Sequence, residues 1–268
     1  MPRLTARAAR VTTRNPRAHV ILLASALAFV AFGVAGCSTP GPNHTYVAAT
    51  GDEPILDLAD GAPIARIPSY LFSVNELYGI AYDPFTDHLF LRVVPGNFIR
   101  VIDRPARAIK YDFTAEGLPA KGGGDLAIRS RDRHLFFVHP TEPILVETNL
   151  RGKHIRDIKL ESLYESPSGV AYDQKLDRFF ILTGGDLSKV TAYSLDGKRL
   201  GAVGLDRNVL LTSLAFDSVA REFYVPLKDE SAIGIFNLKG NLVRTIPLRW
   251  GQNRDHVDVG PRSLIRLF

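Results

Sequence analysis

The chain of 268 residues carries a single cysteine, Cys37, so it can form no internal disulfide, and whatever fold it adopts is held without a covalent staple. It also lacks a long hydrophobic run. The one uncharged apolar stretch, Val20 to Gly36, is 17 residues long, short of the roughly 20 that a helix needs to span a bilayer. Helical periodicity is missing, and period-2 alternation recurs in its place. An excess of charge is lacking once the N-terminus is set aside. The formal +5 is matched by Arg3, Arg7, Arg10, Arg14 and Arg17, which no nearby acid balances, so the remainder is neutral and offers no footprint for nucleic acid. Catalytic signatures are equally sparse. There is no G-x-S-x-G elbow and no grouping of Ser, His and Asp at interpretable spacing, and "GGGD" at 122–125 has neither the lysine nor the following helix of a phosphate loop. No nucleophile is legible.

What the N-terminus does contain is an ordered series of signals. An arginine-rich segment precedes the apolar run, which stops at Val34-Ala35-Gly36-Cys37. This resembles a bacterial lipobox, in which small residues admit a signal peptidase and the cysteine sulfur takes a diacylglyceryl group. Residues 1–36 are therefore expected to be a lipoprotein signal peptide, 37–43 a lipidated cysteine with a short tether, and 44–268 the folded domain. No twin-arginine pair precedes the apolar run, which favours the Sec route. Ser38, rather than an aspartate, follows the cysteine, which points to the outer membrane, facing the periplasm, in an organism with two membranes. The 232 residues from Cys37 onward are ample for one large all-β domain, expected to be monomeric.

The domain repeats. Tyr82, Ile128, Tyr172 and Phe216 hold equivalent places in "GIAYD", "DLAIR", "GVAYD" and "SLAFD", at intervals of 46, 44 and 44 residues. Periods of this length mark solenoids or propellers. Each unit reads as a short apolar strand, a polar turn, a second strand ("HLFLRV", "HLFFVH", "RFFILT", "EFYVPL"), then an alternating strand and a hairpin. Arg151-Gly152, Asp196-Gly197 and Lys239-Gly240 fall in the hairpin turns, where glycine supplies a positive φ. Four strands per unit without helix predict the blades of an all-β propeller. The ends of the chain fix their number. "HTYVAATGDEPILDLADGAPIARI" supplies second, third and fourth strands with no first, and "VGPRSLIRLF" supplies a first strand with nothing after it. Joined, they make a fifth blade and hide two sheet edges. The expected fold is a five-bladed β-propeller closed by its C-terminal strand.

The stretch "PSGVAYDQKLDRFFILTGGDLSKVTAYSLDGKRLGAV" resembles an NHL repeat, a propeller family whose blades open near "P-x-G-[IV]-A-x-D", and the likeness runs over residues 44–268. The unit at 122–160 departs from it, with Arg129 in place of the aspartate. Related lactonase and lyase propellers hold catalytic metal ions on their inner strands, so the resemblance implies that chemistry would lie where first strands begin. Those openings offer Glu76 and Tyr78, then Gly124 and Asp125, then Ser168, then Thr212 and Ser213, then Arg262 and Ser263. Glu76 and Asp125 are the candidate metal ligands. Calcium is the ion such a site would take, although it wants six to eight oxygens, and the two acids could instead pair with Arg262 or cap loop amides. No other cofactor is implied. His88 and His134 share one repeat position that Arg178 and Glu222 fill elsewhere, which reads as exposed turn residues rather than zinc ligands.

A second constellation lies in the loops joining second to third strands. Asp52 and Glu53, Glu142, Asp186, and Asp229 with Glu230 place acids in four of the five, and only Pro95-Gly96-Asn97 has none. The same face receives the long connections bearing Tyr70, Phe72, Phe113, Tyr164 and Trp250. Acids with aromatics suit a peptide, glycan or cationic ligand. Two functions follow. One is a lipid-anchored cell-envelope scaffold, attached to the membrane through its N-terminal lipid, that binds an envelope protein, peptide or glycan. The alternative is a divalent-metal-dependent hydrolase or lyase of the lactonase-like type.

Overall fold

The computed structural model describes residues 40–49, 53–71, 77–184, 188–248 and 255–263. Cys37, Asp52, Phe72, Glu76, Asp186 and Trp250 lie outside these residues. The described chain from Pro40 onward builds five four-stranded antiparallel sheets. β1 (Pro40–Ala48), β2 (Ile55–Ala59) and β3 (Ala62–Ile67) come first. Blade one is β4 (Leu77–Asp83), β5 (His88–Val93), β6 (Phe98–Asp103) and β7 (Ala108–Thr114). Blade two is β8 (Leu126–Arg129), β9 (His134–Val138), β10 (Ile144–Asn149) and β11 (His154–Lys159). Blade three is β12 (Gly169–Asp173), β13 (Arg178–Thr183), β14 (Lys189–Ser194) and β15 (Arg199–Gly204). Blade four is β16 (Ala215–Asp217), β17 (Glu222–Pro226), β18 (Ala232–Asn237) and β19 (Leu242–Pro247). β20 (His256–Ser263) pairs with β1 and completes blade five in the order β20-β1-β2-β3. The five-bladed propeller closed by its C-terminal strand is the architecture observed. One single-turn 3₁₀ helix, Ser69–Leu71, is its main helical feature among the described residues.

Each blade presents both faces to neighbours, which is why its first three strands read as nearly continuous apolar runs. β12 is buried throughout, whereas the outermost strands β7 and β15 are exposed at most positions. The core accordingly divides into five hydrophobic clusters, one between each pair of adjacent blades. Aromatic rings at the repeat position anchor them: Tyr82 packs on Tyr46, Tyr172 on Phe136 and Phe179, Phe216 on Phe180 and Phe223.

The hairpin glycines have a second role that the repeat alone does not show. The right-handed twist of each blade swings its outer hairpin against the end of the preceding blade's outermost strand. There, the N–H groups of Glu116, Glu161 and Asp206 donate to the carbonyls of Gly152, Gly197 and Gly240 at 2.8, 2.9 and 3.0 Å. In return the acid side chains accept the N–H of His154, Arg199 and Leu242, two residues past each glycine. A reciprocal latch thus joins blade one to two, two to three, and three to four. At Gly197, φ is +78° and an added Cβ would lie 1.9 Å from the Lys159 carbonyl oxygen. Gly197→Ala is therefore expected to destabilise the domain by about 2 kcal/mol or more, through both left-handed strain and displacement of the latch. Urea unfolding would check it, and a loss below about 0.5 kcal/mol would show that the latch has room to yield.

Two boundaries differ from the sequence reading. The first strand of the chain begins at Pro40 rather than His44, and β20 begins at His256 rather than Val259. In β20 the pattern "G-I-A-Y-D" has become "H-V-D-V-G", with Val259 at the repeat position 43 residues after Phe216. His88 and His134 are also not exposed turn residues. They open β5 and β9 and are part-buried, with His134 Nδ1 2.6 Å from Glu147. Arg129, where the motif lacks its aspartate, bonds Asp132 and Glu147 and lies over the rings of Phe136 and Tyr172, so a cation replaces the usual acidic cap.

Candidate functional site

The inner strands β4, β8, β12, β16 and β20 surround the propeller axis. Their starts form one end, the mouth, together with the loops between second and third strands; the turns from first to second strands form the other. The aspartates of "AYD" and "AFD" cap those turns. Asp83, Asp173 and Asp217 each accept the amide two residues ahead, at 3.1, 3.1 and 2.7 Å.

At the mouth a cavity of about 460 Å³ is bordered by Tyr78, Ser168, Thr212, Asp255 and His256. Tyr78 lies over Gly123, where any Cβ would fall within 2.0 Å of the ring. His256 is buried with Nδ1 unpartnered among the described residues, and burial pushes its pKa down to about 4, leaving a neutral imidazole. Thr212 donates its hydroxyl to the Asp255 carbonyl oxygen. Arg92, from the middle of "HLFLRV", is fully buried just behind the mouth. It donates to the carbonyls of Gly96, Gly124 and Val138, binding blade one to blade two, and burial lowers its pKa to about 10. Sequence reasoning missed it, because one charge within a strand reads as a solvent-facing residue.

Asp125 sits at the opening of β8, as its position in "GGGD" implied, but deep in the axis. One carboxylate oxygen accepts the N–H groups of Val170 (3.1 Å) and Leu214 (2.9 Å), and the Ser213 hydroxyl lies 3.4 Å from the other. Ser213 Oγ in turn meets the backbone N–H and carbonyl of Val257, and Asp258 accepts the Tyr82 N–H. A belt of hydrogen bonds therefore links blade two to three and four, four to five, and five to one. Burial raises the Asp125 pKa well above the carboxylate range, and the amides oppose this. A calcium ion would compete with backbone donors for these oxygens. Among the described residues no three His, Cys, Asp or Glu side chains cluster in a way that could hold a metal, and Glu76, the other candidate ligand, lies outside them.

Around the mouth, Glu142 is exposed in the β9–β10 loop, near His139. Tyr164, between β11 and β12, is 91 % exposed, and Tyr70, in the 3₁₀ turn, is 70 % exposed. Asp229 accepts the Asn208 side-chain amide at 3.1 Å beside a cleft of about 430 Å³ that Arg207 and Glu230 also border. Phe113 does not join them; it lies in β7, packed on the cluster between blades one and two. Arg262 is not at an opening. It lies near the far end of β20, beyond Pro261, which pairs with Asn43, because the opening of blade five is at Asp255-His256. Tyr78 and Asp125 are thus brought to the mouth, Glu142, Tyr164 and Asp229 to loops of the same face, and Arg262 to the opposite end.

Asp258, unnoticed in the sequence, is a second acid of the axis, half-buried beside Val257 and Val259. Desolvation raises its pKa to about 7, against the amides of Tyr82 and Val259. Because the folded protein holds this proton more tightly than the unfolded chain, its contribution to stability falls as pH rises from about 4, the unfolded value, to about 7. Asp258→Asn is nearly isosteric with the protonated acid and escapes that loss. The variant is expected to match the parent near pH 4 and to exceed it by up to about 4 kcal/mol at pH 8, read from melts across that range. A stability gap that does not change with pH would contradict the assignment.

No protein-family pattern and no curated protein sequence matches the chain. Among solved structures, one from a nidogen/laminin complex superposes with a TM-score of 0.61 at 12 % identity, over 84 % of this chain and 99 % of that one. A Bacteroides caccae protein of unknown function gives 0.47 at 17 % identity, covering 77 % and 73 % of the two chains. Hydrazine synthase of Kuenenia stuttgartiensis gives 0.45 at 11 %, covering 63 % and 48 %. The nidogen/laminin likeness speaks to the propeller fold.

Proposed function

We propose that the protein is a lipid-anchored β-propeller of the cell envelope that binds a partner protein, peptide or glycan on its mouth-side loops. The observation that carries binding over catalysis is the contrast between buried and exposed groups at this end. Asp125, the acid best placed for chemistry, is engaged by the backbones of blades three and four, whereas Glu142, Tyr164 and Tyr70 are turned to solvent. Rigid aromatics beside acids on loops of a fixed scaffold are a recognition surface in the making. The superposable propeller from a nidogen/laminin complex supports the same reading, as a fold compatible with a protein partner.

Anchoring rests on the arginine-rich segment and on Val34-Ala35-Gly36-Cys37, with the outer membrane favoured by Ser38. Pro40 starts β1 at the turn end of blade five, three residues after Cys37 in the sequence. A tether of that length would hold the turn end toward the bilayer and leave the mouth-side loops free. Lipid attachment predicts that a palmitate analogue labels the wild type and not Cys37→Ser, and that the variant is released from membranes.

For binding, a photo-crosslinking residue at Tyr164 is expected to yield one adduct of defined mass in cells. Glu142→Lys combined with Asp229→Lys should weaken it, and the same probe at Lys175, in the β12–β13 turn, should give none. Equal adducts from both positions, or none from Tyr164, would contradict the reading. The hydrolase alternative would be favoured instead by stoichiometric calcium or zinc that copurifies with the protein and is lost in Glu76→Gln with Asp125→Asn.

A further inference from the structure

One position breaks the five-fold repetition of the inner strands. Ala81, Ala127, Ala171 and Ala215 hold matching places in β4, β8, β12 and β16, and β20 has Asp258 there. Its side chain borders a cavity of about 300 Å³ at the turn end of the axis, away from the mouth, with Tyr82, Tyr172 and Phe216 contributing to the wall. Asp258 is deep within the propeller yet partly accessible from this cavity. Its oxygens accept only the N–H groups of Tyr82 and Val259, and no cation pairs with it among the described residues. Arg129 and Arg221, which lie over Tyr172 and Phe216, are taken up by Asp132 with Glu147 and by Asp173. Ser130 Oγ, from a residue of the same wall, is buried with no hydrogen-bond partner among the described residues.

An acid without a cationic partner in such surroundings is costly, and four blades manage the same strand with alanine. We propose that this cavity binds a small organic ammonium ion with an apolar body, its nitrogen on the Asp258 carboxylate and its body against Tyr82, Tyr172 and Phe216. The carboxylate supplies the counter-charge that the protein itself withholds. The apolar edges that Tyr82, Tyr172 and Phe216 contribute to the wall pack its hydrocarbon. Asp217 on the same wall disfavours an anion. The volume is at the small end of the roughly 300 to 1,000 Å³ typical of small-molecule sites, which suits a metabolite rather than a peptide.

The test is isothermal titration calorimetry on the purified full-length protein at pH 8, with phenethylamine, benzylamine, cadaverine and choline as probes and phenethyl alcohol as the uncharged counterpart of the first. At least one amine is expected to bind one site per chain, with phenethyl alcohol about ten-fold or more weaker than phenethylamine if that amine is the binder. Asp258→Asn, which keeps shape and removes charge, should weaken the amine about ten-fold or more. Val219→Trp, at a 77 % exposed residue on the cavity's lip, should block it without touching the core. Failure of all four amines, equal binding of phenethylamine and its alcohol, or amine affinity unchanged in both variants would overturn the proposal. None of these outcomes bears on the mouth-side loops.

Discussion

Deleting residues 256–268 is expected to abolish the native fold rather than to trim it. The deletion removes β20, which pairs with β1 from His44↔Gly260 to Ala48↔His256 and reaches Pro40↔Ser263. Val257 and Val259 also leave the cluster between blades four and five. The axial belt loses two links, Ser213 to Val257 and Asp258 to Tyr82. The inner edge of β1 would then present unpaired backbone groups to solvent, and an open edge of this kind templates aggregation. The loss should far exceed the roughly 0.5 to 3 kcal/mol of an ordinary substitution. Circular dichroism melts of the deleted chain should show no cooperative transition. A transition near that of the parent would mean that blade five closes the ring without its inner strand.

The second large effect is expected at Arg104, in the outer turn of blade one. Its guanidinium grips Asp87 at 2.5 and 2.7 Å and reaches Asp57 of blade five at 3.4 Å. His44 Nδ1 lies 2.5 Å from the other Asp57 oxygen, and the Tyr82 hydroxyl donates to Asp87 at 3.0 Å. All of these groups are buried, so the seam that closes the ring between blades five and one is held by a polar network inside an apolar one. Arg104→Leu leaves two carboxylates without their shared cation, and the expected cost is about 3 to 5 kcal/mol in urea unfolding. Adding Asp87→Leu should return part of that loss, because one stranded charge is removed with its partner. A single-variant loss under about 1 kcal/mol would show that water reaches the seam.

Much of this architecture was legible because the repeat is written in strand-sized words. Tyr82, Tyr172 and Phe216 mark one position in three blades, and the missing first strand at one end matched the surplus strand at the other. The register of that last strand was not legible. Asp258 stands where the motif has alanine, and Gly260 where it has aspartate, so the apolar residues further on offered a better but false match and put Arg262 at the mouth. The latch acids Glu116, Glu161 and Asp206 recur every 45 residues, a signal present in the spacing but masked by the polarity of loops in general. Asp125 was correctly placed at an opening. Its engagement could not be read, since its partners Val170 and Leu214 are 45 and 89 residues away and meet it only when the ring closes. Arg92 and Asp258 share that difficulty, for local pattern does not distinguish a charge facing water from one facing backbone carbonyls or an internal cavity.

The central functional claim, an anchored propeller that turns its mouth-side loops outward, is tested most directly by accessibility in place. Single cysteines are introduced at Glu142, in the mouth-side β9–β10 loop, and at Lys175, in the β12–β13 turn at the opposite end. Both residues are exposed, and the thiol of Cys37 is blocked when lipidated. Labelling rates with a bulky maleimide are compared between membrane-bound protein and its soluble Cys37→Ser counterpart. Membrane attachment is expected to slow position 175 several-fold and to leave position 142 nearly unchanged. Slower labelling at 142 than at 175 would reverse the orientation, and equal rates in both forms would contradict the anchored arrangement altogether.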